Sequence, residues 1–430
     1  MLEILMLLVI GGITSTAFVK KQNLVTNESG KIQRIMSLSG LNVKDGKETL
    51  TTRLLRKKQY EWGWEYVYSI PDGRSFDDYQ SKFNVLQDGL NNRRKKVSFA
   101  DLKKLTLDST IIRQLQEMFN SKLGEQKEIE LDWDGTLIIR VYDQPLPKMV
   151  NFREGFHFEV PIGLTRDRNT MRYHDFEKIP HMVIGGATRY GKSNTINSII
   201  NSLLLTVPDN VYFYFVDLKG GIELCDYENI KQTKSIAYEP EEALETLGSA
   251  VAHMRKIQKI VKDSGKKNVH QAGIKDRYFV IVDEVGELNP SEAVDKEEKK
   301  LKEQCQKYMS QIARLGAGLG FRLIVATQYP TGDVVNRQIK QNADVKLCFR
   351  VQSAVASRVV LDSEGAEKLP QVIGRAIYQT ADKREIVQTP FISWETVKEN
   401  VEKYIVEKEV SYVEDVDGEG REDSITFRKV

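Results

Sequence analysis

Cysteine is scarce in this chain: its 430 residues include three, at Cys225, Cys305 and Cys348. They lie far apart, and none has another cysteine or a histidine close by in the sequence. This spacing excludes a disulfide framework and offers no zinc site. It is typical of free thiols in a reducing compartment.

The chain also lacks a surplus of charge of one sign, because 63 lysines and arginines nearly balance 61 aspartates and glutamates. Net charge therefore gives no argument for nucleic-acid binding, and only local patches could supply one. Two segments are biased. Residues 20–60 contain 10 basic against 3 acidic side chains, and residues 391–430 contain 6 basic against 11 acidic ones.

Long apolar runs are missing except at residues 2–19, where Glu3 is the one charged side chain. This length is near the lower limit for a membrane-spanning helix. Lys20 and Lys21 follow the run, whereas a secretory signal has its basic residues before the apolar core. We therefore predict a single-pass transmembrane helix over 1–19 in the cell membrane, with the remainder of the chain in the cytoplasm. A buried N-terminal helix is the alternative.

Residues 179–193 contain the most informative pattern of the chain. Gly186 is followed by four residues and then by Gly191, Lys192 and Ser193, which fits the phosphate-binding loop of P-loop NTPases. An apolar strand-like run precedes the loop and a helical stretch follows it, which is the context that the motif requires. We predict that ATP is bound by Gly186, Ala187, Thr188, Arg189, Tyr190, Gly191, Lys192, Ser193 and Asn194.

Two later strands end in residues suited to ATP hydrolysis. The apolar run from Tyr278 to Val282 leads into Asp283 and Glu284, the Walker-B pattern. We expect Asp283 and the Ser193 hydroxyl to hold Mg²⁺, and Glu284 to activate the attacking water. The next strand delivers Gln328, whose amide could sense the γ-phosphate. Ligands of open α/β sheets bind at the carboxyl ends of strands, so these features are expected to converge.

From residue 161 onward, strands alternate with helices, which predicts a parallel-core sheet in an α/β motor domain over 161–390. The expected strands are 181–185, 211–217, 278–283, 322–327, 346–351 and 376–379. Helices are expected near 192–206, 240–263 and 296–315. Before the motor, a strand over 62–70 and a hairpin over 128–142 predict a small α+β domain at 61–160. Residues 20–60 read as a basic juxtamembrane segment that faces anionic headgroups, and residues 391–430 as an acidic tail.

At these motifs the chain resembles the FtsK/SpoIIIE family of hexameric DNA-pumping ATPases. The resemblance covers about 165–390 and runs through the P-loop, Asp217-Leu218-Lys219, Asp283-Glu284, Ala326-Thr327-Gln328-Tyr329-Pro330, Asp333-Val334, Ile339-Lys340, Ser357-Arg358-Val359-Val360-Leu361-Asp362 and Gly365-Ala366-Glu367-Lys368-Leu369. It implies a RecA-like motor domain, assembled as a homo-hexamer, that binds double-stranded DNA in a central pore.

The chain departs from the family pattern at three places. Arg189-Tyr190 replaces Gly-Ser in the P-loop. The family's trans-acting arginine aligns with Ala317, so we expect Arg314, one helical turn earlier, to supply that catalytic cation. Tyr329 stands where a basic residue often follows the sensor glutamine. The DNA contacts are therefore expected from Arg337, Lys340 and Arg350, and an ordinary surface charge is the alternative for each of them.

The order of segments resembles the FtsK-type coupling proteins of conjugative elements. The tail is too short and too acidic for the DNA-reading winged-helix module of chromosome-segregating members. The sequence thus predicts an ATP-driven DNA translocase that serves a conjugative channel, with a relaxase complex and channel proteins as partners. A plasmid or phage packaging or partition motor is one alternative. A secretion-type ATPase scaffold that recruits a protein is the other.

Overall fold

The computed structural model describes residues 28–91, 127–166, 170–328, 334–406, 408–413 and 421–427. They form two compact units. The first unit ends at Pro145 and includes Arg166, and the second takes Leu146–Thr165 and the chain from residue 170 onward. The predicted transmembrane helix at 1–19 lies outside the described residues. Within the described ranges, no helix combines the length and the apolar character needed to cross a membrane.

Among its described residues, the first unit contains a four-stranded antiparallel sheet and three helices. Its elements are α1 (Glu28–Leu38), β1 (Val43–Asp45), β2 (Glu48–Leu50), β3 (Arg53–Tyr60), β4 (Gly63–Ser69), α2 (Phe76–Ser81), α3 (Phe83–Asn91), β5 (Glu128–Trp133) and β6 (Leu137–Tyr142). The strand order is β3-β4-β6-β5, and β1 pairs with β2 in a separate hairpin. Alternate side chains of β4 and β6, such as Tyr66, Tyr68 and Ile139, pack against Ile32 of α1 and Leu86 of α3.

The second unit is built on a ten-stranded sheet. Its elements are β7 (Val150–Asn151), β8 (Glu159–Thr165), β9 (Met171–Asp175), β10 (Met182–Gly185), α4 (Lys192–Thr206), β11 (Val211–Asp217), β12 (Thr233–Ala237), α5 (Pro240–Asp263), β13 (Arg277–Asp283), α6 (Lys296–Leu319), β14 (Phe321–Thr327), α7 (Arg337–Asn342), β15 (Val345–Phe349), α8 (Ala354–Leu361), β16 (Arg375–Gln379), β17 (Arg384–Gln388), β18 (Pro390–Phe391), α9 (Trp394–Glu402), β19 (Lys408–Val413) and β20 (Arg421–Phe427). The sheet order is β12-β11-β13-β14-β10-β15-β16-β17-β8-β9.

The half of this sheet from β12 to β15 is parallel, and the half from β15 to β9 is antiparallel. Parallel strands are buried on both faces, and β13 and β14 are buried along their whole length. Val280 and Val282 pack in the core that α5 and α6 cover, whereas Phe279 and Ile281 pack in the core that α4 covers. The second unit is therefore a three-layer α/β fold, as the alternating pattern predicts.

The six expected strands and three expected helices of the motor are confirmed to within a few residues. The largest shift is at α6, which continues to Leu319 and ends at Gly320 in a left-handed turn (φ 82°). Glycine adopts this turn without steric cost, so the helix stops there and not at 315.

Three segments differ from the expected domain boundaries. Residues 28–60 fold into the first unit as α1, β1, β2 and β3, because Ile32 and Met36 supply part of its core. The division between the units falls after Pro145, before the expected 160, because β7 pairs with β18 and β8 pairs with β17 of the large sheet. Beyond residue 390, α9 buries Val397 and Val401 in the core beneath α4, and Asn400 donates to Asn201 Oδ1 (3.1 Å).

Candidate nucleotide site

The P-loop connects β10 to α4 through two glycines that no larger residue could replace. A Cβ at Gly186 (φ 158°) would lie 2.5 Å from Phe349 Cβ. A Cβ at Gly191 (φ 111°) would lie 3.1 Å from the Gly374 backbone nitrogen. The loop is held from below as well, since the Ala187 N–H donates to the Arg350 carbonyl (2.9 Å). The backbone path is thus fixed by its packing against β15 and the turn before β16.

A cavity of about 270 Å³ opens between this loop and the carboxyl ends of the strands. It is lined by Ala187, Thr188, Arg189, Gly191, Lys192, Ser193, Asn194, Lys219, Glu223, Gln328 and Ile373. The amino end of α4 points its unpaired backbone N–H groups at the loop, an arrangement that favours phosphate. Seven of the nine residues predicted to bind ATP line the cavity, and Gly186 and Tyr190 shape the loop behind it.

Lys192 and Asp283 form an ion pair between Nζ and Oδ1 at the base of the site. Lys192 is 4% exposed and Asp283 is fully buried. The second carboxylate oxygen of Asp283 has no hydrogen-bond partner among the described residues. An orphaned buried carboxylate oxygen close to the P-loop fits a divalent cation, so Asp283 and Ser193 would hold Mg²⁺. There the ion would offset charge on the phosphates.

Glu284 follows Asp283 in a left-handed backbone conformation (φ 64°), which is uncommon for a residue other than glycine. Its carboxylate is buried and held at both oxygens: Oε1 accepts from the Thr327 hydroxyl (2.9 Å) and Oε2 from the Gln328 backbone N–H (2.9 Å). Such strain usually persists where the surroundings fix a functional group. The carboxylate is therefore preorganised at the end of β14, the strand next to the P-loop strand.

Gln328 connects Glu284 to the P-loop. Its backbone nitrogen donates to Glu284, and its side-chain oxygen accepts from the Thr188 hydroxyl of the loop (3.0 Å). A γ-phosphate entering the cavity would compete for Thr188 and Gln328. Gln328 thus lies between the P-loop and the Glu284 carboxylate, at the position where the sequence predicts a γ-phosphate sensor.

Asp217, in the Asp217-Leu218-Lys219 segment that resembles the family, has a structural role that the sequence did not indicate. Asp217 is fully buried beside Asp283 on the neighbouring strand. Its Oδ2 accepts from the backbone N–H groups of Glu223 (2.9 Å) and Leu224 (3.0 Å). Asp217 thereby fixes the turn that brings Lys219 and Glu223 to the cavity wall.

Asn194, which the sequence predicts as a nucleotide ligand, contacts a distant segment in the structure. Its side chain exchanges two hydrogen bonds with the backbone of Ile392: Nδ2 donates to the carbonyl (2.6 Å), and Oδ1 accepts from the N–H (3.2 Å). The first turn of α4 is thus fastened to the segment that leads into α9. No motif pointed to this contact, because Ile392 bonds through its backbone.

None of the residues predicted to contact DNA or a neighbouring subunit lines the nucleotide cavity, although the Arg350 carbonyl accepts from Ala187 of the P-loop. Arg314 and Arg337 line an open groove of about 770 Å³ between α6 and α7, and both are exposed. Lys340 instead forms an ion pair with Asp362 (2.8 Å), and Arg350 donates to the Leu369 carbonyl. The structure therefore brings together only the first two of these cations.

Arg322, a further arginine near the end of α6, is unsuited to act on a neighbouring subunit. It is 1% exposed, and its Nη2 donates to Glu177 Oε1 (2.8 Å), which Arg277 also contacts (2.7 Å). Burial opposes ionisation of Glu177, yet the hydrogen bonds and charges of Arg277 and Arg322 outweigh it and lower the Glu177 pKa to about 2. This cluster is a structural ion network at the amino ends of β13 and β14.

Comparison with known proteins agrees with the resemblance drawn from the motifs. Residues 152–279 match the model of the FtsK/SpoIIIE family. The chain is 32% identical over 254 residues to the DNA translocase FtsK of Chlorobaculum tepidum, covering 54% of this chain and 30% of the relative. It is 32% identical over 287 residues to that of Caldanaerobacter subterraneus, covering 65% and 39%. The chain thus spans about a third of the length of these relatives.

Two solved structures share the fold. The conjugation coupling protein TcpA of pCW3, in a monomer form with ATPγS, superposes with a TM-score of 0.58 at 22% identity, covering 87% of this chain and 98% of that one. The cytoplasmic domain of the type VII secretion ATPase EccC of Thermomonospora curvata gives a TM-score of 0.50 at 21% identity, covering 61% and 33%. At these identities the likeness concerns the fold alone.

Proposed function

We propose that this chain, which carries an FtsK/SpoIIIE domain, is an ATP-driven DNA translocase and acts as a membrane-anchored coupling protein that brings DNA to a conjugative transfer channel. The observation that carries the ATPase half is the convergence of Lys192, Asp283, Glu284 and Gln328 at one sheet edge, around a cavity that begins at a helix amino end. These are the parts that phosphoryl transfer to water requires.

Each residue has a separate task in this proposal. Lys192 leaves Asp283 and contacts the β- and γ-phosphates, while Ser193 and Asp283 would hold Mg²⁺, which would offset phosphate charge. Glu284 accepts the proton of the attacking water, and its two hydrogen bonds to Thr327 and Gln328 keep it oriented. Gln328 and Thr188 respond to the γ-phosphate. Arg314 of an adjacent subunit offsets charge on the transferring group.

The DNA half of the proposal is supported by the similar relatives, which are DNA translocases. A conjugative role is supported by the likeness in fold to a conjugation coupling protein over nearly all of that chain. On this proposal six copies surround double-stranded DNA, residues 1–19 anchor each copy in the membrane, and a relaxase complex and channel proteins are the partners. Of the predicted DNA contacts Arg337, Lys340 and Arg350, the exposed Arg337 in the open groove is then the first to test.

The test measures ATP hydrolysis by the full-length protein with and without duplex DNA. Glu284→Gln should still bind ATP but hydrolyse it at least ~100-fold more slowly, the scale of a lost general base. Glu287→Gln is the matched control, because Glu287 lies three residues further on and is exposed. Normal turnover by Glu284→Gln would place the catalytic carboxylate elsewhere.

DNA dependence separates the translocase from the secretion-type alternative. Duplex DNA should stimulate hydrolysis, and the stimulation should fall steeply between about 50 and 200 mM salt, because several cations would neutralise phosphates. Hydrolysis that ignores DNA would refute the translocase. A packaging motor would share the DNA stimulation, and only the genetic neighbours of the protein, relaxase and channel genes or capsid genes, would distinguish it.

A further inference from the structure

The sheet of the first unit carries a row of alternating charges from one edge to the other. Lys58 on β3 stands opposite Glu65 on β4, Glu65 opposite Arg140 on β6, and Arg140 opposite Glu130 on β5. Arg140 contacts Glu65 Oε2 at 3.4 Å and Glu130 Oε2 at 3.7 Å. Each strand in this row thus meets a neighbour of opposite sign, which stabilises cross-strand pairs.

A second row on the same face also begins with a cation on β3 and ends with a carboxylate on β5. Arg56 on β3 is followed by Val67 and Ile138, and the row ends at Asp132 on β5. The Arg56 side chain is 68% exposed and the Asp132 side chain is 52% exposed. Both rows therefore end in a cation at β3 and a carboxylate at β5.

The two edge strands hold opposite surpluses of charge. Strand β3 carries Arg53, Arg56, Lys57 and Lys58 with no acidic residue. On β5, the carboxylates of Glu130 and Asp132 both contact the guanidinium of Arg140, which also contacts Glu65 of β4. Glu65 in turn contacts Arg56 of β3 at 3.7 Å. Among the described residues, β3 and β5 each pair on one side only. The open side of each edge thus presents the charge that the other edge attracts.

We propose that β3 of one copy of this chain pairs with β5 of a second copy, so that the sheets of the first units join edge to edge. In one antiparallel register, Arg56 faces Asp132 of the second copy and Lys58 faces Glu130 of the second copy. Both pairs fit at once because the residue numbers fall on β5 as they rise on β3. The alternation of charges then continues across the junction without a break.

The contact is heterologous, since one copy offers β3 and the other offers β5. Repeated contacts of this kind close into a ring when the rotation between copies allows it, and otherwise they build an open filament. Charged edge strands usually prevent sheets from joining. The cations of β3 repel a basic strand, and pairing with a neutral strand would remove water from them without a counter-charge. An acidic strand meets them favourably, so the same side chains select the partner.

Disulfide trapping tests the register directly in the full-length protein. Two variants are made in a Cys225→Ser background, because Cys225 is exposed: Arg56→Cys, and Asp132→Cys carrying a size tag. Opposed residues of an antiparallel pair lie about 4.5–5.5 Å apart at Cα, within disulfide reach. The mixture is oxidised mildly without nucleotide or DNA. The yield of mixed dimer should be about 10-fold higher than the yield of self-linked dimer from either variant alone. Lys44→Cys on β1, mixed with tagged Asp132→Cys, is the matched control.

Charge reversal provides a second measurement on folded protein. Adding Lys58→Glu to the Arg56→Cys chain should lower the yield of mixed dimer about 10-fold, and adding Glu130→Lys to the Asp132→Cys chain should restore it. A mixed dimer no more abundant than in the control overturns the proposal, as does self-linking of Arg56→Cys. The proposal is also overturned if no mixed dimer forms and Lys58→Glu instead abolishes binding to anionic vesicles or to duplex DNA. None of these outcomes depends on ATP hydrolysis, so failure here leaves the proposed function untouched.

Discussion

Lys192→Ala should destabilise the nucleotide-free protein as well as abolish ATP hydrolysis. The sequence predicts Lys192 as a ligand of ATP in the P-loop. In the structure its ammonium pairs with Asp283, which is fully buried. Removing the lysine leaves a carboxylate away from water with neither a cation nor a partner for its second oxygen among the described residues.

The size of the effect has two bounds. Breaking a buried ion pair by removing one partner typically costs 3–5 kcal/mol. The protein can limit this loss by protonating the carboxylate instead, and protonating an ordinary aspartate at pH 7 costs about 4 kcal/mol. We therefore expect the free energy of unfolding to fall by about 3–4 kcal/mol. For a unit of this size that corresponds to a drop of about 6–16 °C in melting temperature.

Thermal and urea unfolding of the nucleotide-free protein measure this loss. Lys219→Ala is the matched control, because Lys219 lines the same cavity but its side chain is 40% exposed and lies 3.8 Å from Glu223. Its removal should change stability by no more than about 0.5 kcal/mol. Adding Asp283→Asn to Lys192→Ala should restore most of the stability, since the buried charge is then gone.

The reasoning is refuted if Lys192→Ala melts with the parent protein, or if the double variant is no more stable than the single one.

Three further predictions concern other parts of the chain. Arg314→Ala should lower DNA-stimulated hydrolysis by about 10³-fold or more if it acts in trans, and Lys307→Ala in the same groove should not; equal rates would exclude Arg314. Burial lowers the pKa of His174 to about 4 and, with the Arg322 charge, that of His181 to about 3. Stability should therefore be full above pH 6.5 and about 1.4 kcal/mol per histidine lower at pH 5.5, whereas a flat melting profile would contradict their burial. Deleting residues 1–19 should release the protein from membranes on fractionation, and a truncated protein that still sediments would identify another anchor.

The motor could be predicted closely from sequence because its signals are local. Strand β13 is an apolar run that ends in Asp283 and Glu284. When a P-loop precedes such a run in the sequence, the run is identified as a Walker-B strand. The convergence of Lys192, Glu284 and Gln328 followed from the rule that parallel strands present their carboxyl ends at one edge.

The remaining features depend on contacts between distant segments, which no local pattern encodes. Ile392 joins the site through its backbone, so its side chain carries no signal. Lys340 looks like any free surface lysine until the fold brings Asp362 within 2.8 Å of it. The boundary after Pro145 was missed because β8 belongs to the large sheet through pairing with β17, more than two hundred residues later.

The fastening of α4 to the segment after β17 has a mechanical consequence. Asn194 holds Ile392 at the start of α4, and Asn201, two turns further along, holds Asn400 of α9. Two attachment points about 10 Å apart on one helix suppress rotation as well as sliding, so α4 and α9 move as one lever. The P-loop lies at the amino end of this helix pair. A displacement of α4 on phosphate binding would therefore also move α9, and a load applied to α9 would act on the nucleotide site.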